Sequence, residues 1–489
     1  MKKIVLGLLV ALIAVVLVLI FRAETAFSDN QVVVSANTPP LALDKDAAVT
    51  RFAQAIRIPT ISYEDPDKFD KDAFLALHAH IASAFPRVHE AMTKTVINDY
   101  SLVYQLPGSD SSLKPALFMG HMDVVPVDEA TREQWTHPPF SGEISNDIIW
   151  GRGTLDDKIT VFALLEAMEN LLSQGLAPQR TLYFAFGHDE EIGGNEGAAR
   201  IAEWFAKQNT EFAFILDEGG ALTDGLMVGT DQTVAVVGIA EKGYANIRLT
   251  VNDDGGHSSQ PPDHTAVGIL SQAVVKLENN QLPTDFQFIE KTFDKIGYYT
   301  DFSTRLAMAN LWLLSPVIED AMLKKPSSAA SIRTTTAATM MQGSSKSNIL
   351  PTQAIGVVNY RLMPGMTIDQ LVTHVRQVVD DPRVQVEAYM ANEASDVSNT
   401  DSMGYQLIEQ TIRSMDSDVL VAPYLVQGGT DAKHFTGMSN SIYRFMMVKL
   451  NPTTLKQFHG VNEQIPVADY LSAIQFYAAL IQQAAQKPG

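Results

Sequence analysis

Hydrophobic positions change period several times along the chain, and the changes divide it into segments. Ile4 to Phe21 is an unbroken apolar run between Met1-Lys2-Lys3 and Arg22. At about 1.5 Å per residue, such a run nearly crosses a hydrocarbon core of about 30 Å. From about Asp44 to Glu90 apolar positions recur at helical spacing, as with Phe74, Leu75, Leu77, Ile81 and Phe85. Short apolar runs then alternate with helical patterns. Those ending near Met119, Phe186 and Leu216 read as buried strands, while Ile159, Phe162, Leu165, Met168 and Leu172 mark a helix that stops near Gly175. This alternation predicts an α/β domain with a doubly wound, largely parallel sheet. Near residue 238 the character changes. Ala245 to Val251 alternates like a half-buried strand and Ile355 to Leu362 is strand-like, with helical stretches between. The expectation is an inserted α+β lid domain over 238–392, with an antiparallel sheet plus helices. The main domain is then split into 43–237 and 393–489, preceded by an N-terminal segment (1–22) and a tether (23–42) containing Pro39-Pro40. Leu306 to Ile318 reads as a core helix, with a lip against an apolar substrate group as the alternative.

Composition narrows the possibilities. The 489 residues are 46% hydrophobic and 19% charged, ordinary for a chain with a sizeable core, and the net charge is −20. Such an acidic balance argues against nucleic acid as a partner, because binding phosphates needs a basic surface. There is no cysteine, hence no disulfide, no thiol nucleophile and no lipid-modified cysteine. The apolar run exceeds the roughly 7–15 residues of a signal-peptide core, and cleavage after Ala26 would place Glu24 where a small residue belongs. An uncleaved membrane anchor is therefore expected, with Lys2 and Lys3 in the cytoplasm and the rest outside it, periplasmic or extracellular. Secretion after signal cleavage is the alternative.

The chemistry-bearing residues sit at the ends of the expected strands. His121-x-Asp123 follows the first, and alternate residues of a strand face one way, so Asp123 can orient the imidazole. Gly151-Arg152-Gly153-Thr154-Leu155-Asp156-Asp157-Lys158 turns into a helix. His188-Asp189-Glu190-Glu191 and Asp217-Glu218-Gly219-Gly220 end two further strands. Each alone is a turn bearing acids; a shared polar terminus on buried strands is harder to dismiss. His78, His80 and His137 read as structural.

Together with Gly256-His257-Ser258 and His459-Gly460, these motifs stand in the order of the co-catalytic di-zinc aminoacylase/carboxypeptidase family, which the chain resembles from about residue 45 to 485. Their wording is similar above all to the carboxypeptidase S and N-acyl-amino-acid hydrolase group. The resemblance implies two Zn2+ ions per subunit. His121 and Asp217 would hold one, Glu191 and His459 the other, and Asp156 would bridge them. It gives Asp123 the role of orienting His121, Glu190 that of general base, and His257 a place at the oxyanion. Asn348, Arg361 and Gly429 resemble the clamp for a substrate carboxylate. It also suggests a cis peptide between Asp156 and Asp157. The implied activity is hydrolysis of an amide next to a free carboxylate, in a peptide or, alternatively, in a long-chain N-acyl amino acid. A catalytically dead binding protein would be expected to have lost ligands, and every ligand type is present. The enlarged stretch 285–345 favours a monomer, and whether His257 serves its own subunit stays open.

Overall fold

The computed structural model describes residues 2–34 and 40–487. Its main sheet has ten strands. At the centre, Leu182–Gly187, Ala116–His121, Phe214–Asp217 and Ile442–Arg444 run parallel in that order, each bordering the next. Ala116–His121 and Leu182–Gly187 are buried at every position, which is why they read as continuous apolar runs. Thr93–Ile97 and Ser101–Leu106 extend one side antiparallel. On the other, Val234–Glu241 lies antiparallel to Ile442–Arg444 and parallel to Leu420–Val426. The helices Lys158–Ser173 and Val467–Ala484 pack against each other within the largest core cluster.

A second sheet is antiparallel throughout, in the order Thr335–Gln342, Gln353–Leu362, Gly243–Asn252 and Val384–Asn392. Helices Ala266–Asn279 and Ile368–Val379 join it in a separate core. This is the antiparallel lid expected after residue 238.

The stretch 285–345 behaves differently from a lid extension. Its helix Gln287–Ile296 packs on Leu420–Val426 of the main sheet, with Phe293 and Ile296 in a cluster with Val234 and Ala422. Two more helices, Phe302–Met308 and Leu311–Leu323, follow, bent by 112° to each other. The core-helix reading of Leu306 to Ile318 fails here, since neither helix buries a single residue. Apolar content alone does not say whether a helix meets protein or something else.

The N-terminal helix Lys2–Thr25 is long and apolar enough to cross a membrane, and none of its apolar window is buried. The segment expected as a tether is partly strapped down. Phe27 packs into the cluster around Phe293, and Gln31 donates to Val421 O and accepts from Val421 N at 3.1 and 2.8 Å. Pro39 lies outside the described residues.

Candidate active site

The site lies at the carboxyl ends of the central strands, where buried strand tips deliver polar groups to one place. His121 ends its strand, and its Nδ1 is 3.3 Å from Asp123 Oδ1. The Asp123 carboxylate has a second task. It accepts the backbone N–H groups of Glu190 and Glu191, both at 3.1 Å, which fixes the turn after Leu182–Gly187. Asp189 folds the rest of that turn by accepting from Glu196 N and Gly197 N, both at 2.8 Å.

Asp156 stands between two imidazoles. Its Oδ1 is 3.0 Å from His121 Nε2 and its Oδ2 is 3.1 Å from His459 Nε2. His459 Nε2 is also 3.2 Å from Glu191 Oε2. The Asp156–Asp157 peptide is cis, as the resemblance suggested. Asp157 precedes the helix Lys158–Ser173 but does not cap it; its Oδ2 accepts from His121 N instead.

Residues 156 and 459 meet because of a small three-stranded sheet, in which Gln464–Pro466 pairs with Ile148–Trp150 and the latter with Glu143–Ser145. Glu463 completes the connection. It accepts from Gly153 N at 2.9 Å and Leu155 N at 2.8 Å, and forms a buried ion pair with Arg152 at 2.5 Å.

The structure therefore brings together His121, Asp156, Glu191 and His459. Asp217 ends the adjacent strand and accepts from Ala432 N at 2.8 Å; it is not within the tight group of ligand atoms, which lie within 4.8 Å of one another for His121, Asp156 and Glu191. The lid candidates are apart from this group. His257 and Asn348 are exposed neighbours at the end of a two-stranded ribbon of Gly256–His257 and Ile349–Leu350, linked by Ser258 N donating to Asn348 O at 3.2 Å. The His257 imidazole bonds only Ser259 among the described residues. Arg361 lies on the lid sheet with its guanidinium 4.8 Å from the centre of the Tyr244 ring. Gly429 is exposed on the loop after Leu420–Val426. The histidines read as structural behave so: His78 bonds Tyr100 O, His80 bonds Arg51 O, and His137 packs on Trp150.

Electrostatics distinguish the acids. Burial raises Glu190 well above the usual carboxylate range, with Asp431 and Glu191 adding repulsion and His121 opposing. Glu191 is raised by burial and by Asp156. Asp156 and Asp123 are the exceptions: burial opposes ionisation, yet the bonds of Asp156 to His121 and His459, and of Asp123 to His121, hold both below their ordinary values. Asp156 and Glu191 lift His459 to about 10. Glu191 Oε1 and both oxygens of Asp431 are buried without a hydrogen-bond partner. Imidazole nitrogens and free carboxylate oxygens crowded in this way are the donor set of a divalent zinc-type cation, so the residues present fit a metal.

Several residues went unassigned from sequence. Asp431 is wedged against Gly187 and Gly194, where any Cβ would strike its carboxylate; it lies two residues after Gly429, in the run Gly428-Gly429-Thr430-Asp431, which was the available signal. Lys242 and Arg333 add cations near Arg361. Burial, and after it the charges of Arg361 and Arg333, bring Lys242 down to about 8, and its Nζ bonds Arg333 O at 2.6 Å. Among the described residues none of the three cations has a carboxylate partner. Nothing in the local sequence marked Lys242 or Arg333.

A parallel-sheet domain with an imidazole–carboxylate cluster at its strand tips and a lid carrying unpaired cations is that of a metal-dependent hydrolase. Comparison with known proteins gives the family. Residues 117–483 match the model of peptidase family M20/M25/M40, and the chain belongs to that family. It is 41% identical over 438 residues to carboxypeptidase S-like 2 of Dictyostelium discoideum, covering 88% of this chain and 84% of the relative. It is 38% identical over 437 residues to human N-fatty-acyl-amino acid synthase/hydrolase PM20D1, covering 88% and 86%. Among solved structures, the M20 family metallo-carboxypeptidase Sso-CP2 of Sulfolobus solfataricus shares the fold, with a TM-score of 0.64 at 17% identity, covering 90% of this chain and 99% of that one.

Proposed function

We propose that the protein hydrolyses an amide bond adjacent to a free carboxylate, with two zinc ions held by His121, Asp217, Glu191 and His459 and bridged by Asp156. The observation that carries this reading is the position of Asp156, which offers one oxygen to each of two imidazoles from opposite ends of the chain. Zinc, when bound, would act as a Lewis acid on the carbonyl and make a nearby water acidic. Glu190 takes that water's proton and returns it to the leaving amine; its raised affinity for protons suits a base that must hold one between steps. Asp123 positions rather than reacts, holding His121 and the backbone of Glu190 at once. Arg361, helped by Lys242 and Arg333, receives the substrate carboxylate, with Asn348 and Gly429 as further contacts and His257 closing over the oxyanion when the lid moves.

The substrate is a C-terminal peptide bond or an N-acyl amino acid. The carboxypeptidase S-like relative supports the first, and the relatives named for N-fatty-acyl amino acids, with the exposed apolar helices 302–323, support the second. The N-terminal helix serves as an uncleaved anchor, with Lys2 and Lys3 inside and the catalytic part outside the cytoplasm; finding the mature terminus near residue 27 would make the protein secreted instead. The deciding experiment gives zinc-loaded protein a dipeptide and an N-oleoyl amino acid, with metal analysis alongside. Cleavage of one or both with about two zinc ions per chain supports the reading. A preparation that binds only traces of zinc and cleaves neither refutes it.

A further inference from the structure

The helices Phe302–Met308 and Leu311–Leu323 form an apolar hairpin with no fully buried residue, and the described residues leave its outer face open. Trp312 is 61% exposed, Leu313 43% and Val317 68%. An exposed apolar surface of this extent on two successive helices calls for a partner. The hairpin is also continuous with the anchor. Its corner touches the outer end of Lys2–Thr25: Arg22 Nε donates to Ala309 O at 3.0 Å, and Asn310 Nδ2 to Leu19 O at 3.0 Å. Because Leu19 falls inside the apolar run and Arg22 just beyond it, the corner lies at the level where that run meets water. Trp312 follows at once, a residue type favoured at membrane interfaces. The helix returns to polar character at Glu319 and Asp320.

The anchor cannot swing freely away from this position. Behind it, Asn30 Nδ2 donates to Asp294 O at 2.8 Å, the Tyr299 hydroxyl donates to Asp29 at 2.5 Å, and Gln31 is buried against Val421 and Lys295. Gly297 leaves room for the Phe27 ring, which any Cβ there would strike. The anchor, its strap and the hairpin thus form one connected unit on the edge of the main sheet.

We propose that this hairpin enters the outer leaflet of the bilayer beside the anchor, forming a second membrane contact that fixes how the catalytic domain sits on the lipid surface. The hairpin runs through Pro326–Ile332 directly to Arg333, one of the unpaired cations of the lid, and Gln427, next to the Gly428-Gly429 loop, donates to Ser327 O at 3.1 Å. A carboxylate with an apolar tail dissolved in the leaflet therefore has a short route from lipid to the cation cluster. This substrate half rests on the function proposed above; the docking half does not.

The absence of native cysteine makes the test direct. Full-length protein carrying one cysteine at a time (Val10→Cys, Val317→Cys or Leu75→Cys) is labelled with an environment-sensitive fluorophore and placed in nanodiscs containing spin-labelled phosphatidylcholine. Docking predicts that the Val317 label is quenched to within about twofold of the Val10 label, while Leu75 is not quenched. Quenching at Val317 no greater than at Leu75 overturns the proposal, including when its emission is blue-shifted by a protein partner or a second copy. For the substrate half, the combined W312D, L313D and V317D variant should lose at least about fivefold in hydrolysis of a vesicle-borne N-oleoyl amino acid and nothing on a water-soluble N-acetyl amino acid. Equal loss on both overturns that half. If wild-type protein cleaves neither, the function reading fails while the quenching result still decides docking.

Discussion

Replacing Glu463 by Gln tests what holds the two halves of the site together. Glu463 is fully buried, and its partner Arg152 has 3% of its side chain exposed. Besides Arg152, the carboxylate accepts the N–H groups of Gly153 and Leu155, directly before Asp156. Gln keeps the shape but removes the charge, leaving a guanidinium that cannot shed its proton in a dry site. Breaking a buried pair in this way costs about 3–5 kcal/mol. At about 2 °C per kcal/mol for a large chain, Tm falls by roughly 6–10 °C. The reverse substitution, Arg152→Met, is expected to be milder. Burial already pushes Glu463 up to about 7 against the pull of Arg152, so without the arginine it can take a proton near neutrality and keep accepting from Gly153 and Leu155. The sign follows from linkage. An acid whose folded pKa is raised is destabilising once ionised, so the Arg152→Met penalty should be small at pH 6 and grow as pH rises through the folded pKa. Calorimetry of full-length zinc-loaded protein between pH 6 and 8 measures both variants. An Arg152→Met penalty that does not grow between pH 6 and pH 8 would refute the reasoning.

Glu190→Gln should lower kcat by about 10²–10⁴-fold with zinc content unchanged; a fully active variant would remove Glu190 from the role of base. Zinc loading at pH 7 should release up to about two protons, because Asp123 and Asp156 hold His121, and Asp156 and Glu191 hold His459, above their ordinary values; calorimetric titration in buffers of different ionisation enthalpy reads this, and no release would mean that the imidazoles are not ligands. Metal-free protein should lose stability as pH rises from about 6.5 toward 10, since His459 with a raised folded pKa stabilises only while protonated; an apo melting temperature flat over that window would contradict it. Arg361→Ala should raise KM for a substrate bearing a free carboxylate by at least about tenfold and leave its amidated analogue unaffected, an equal change on both arguing against a carboxylate contact.

The parts of the site legible in the sequence were those written locally. His121 and Asp217 end fully buried strands and Glu190 and Glu191 come just after one, and a run of apolar residues ending in polar groups is visible without a structure. The approach of His459 to Asp156 was not visible from pattern. It depends on strands of three residues each, too short for any period to register, and on a Glu463 carboxylate whose partners lie 308 and 310 positions away. It came from the family resemblance instead. Helices 302–323 failed for a different reason. Hydrophobic content measures a preference against water, and both a protein core and a bilayer satisfy it. Lys242 and Arg333 meet Arg361 only through the pairing of Gly243–Asn252 and Thr335–Gln342 on either side of Gln353–Leu362, which no local signal encodes.

Asp123, Asp156, Asp157, Glu190, Glu191, Asp217, Glu218 and Asp431 share one region, and burial works against the ionisation of every one of them. Only Asp123 and Asp156, which face His121, fall below their ordinary values. A pocket of this composition is satisfied either by protons or by multivalent cations, and the two compete for the same oxygens and nitrogens. Cation binding to the folded state alone adds RT ln(1 + [L]/Kd) to stability, about 4 kcal/mol at a thousandfold excess over Kd. If these acids hold a cation as proposed, the folded state should be stabilised by it. On this view the Arg152–Glu463 pair and the Asp123 bonds to Glu190 and Glu191 have a common purpose: they hold mutually repelling carboxylates in place by neutral backbone contacts and one internal charge pair, so that the arrangement does not depend on a bound cation.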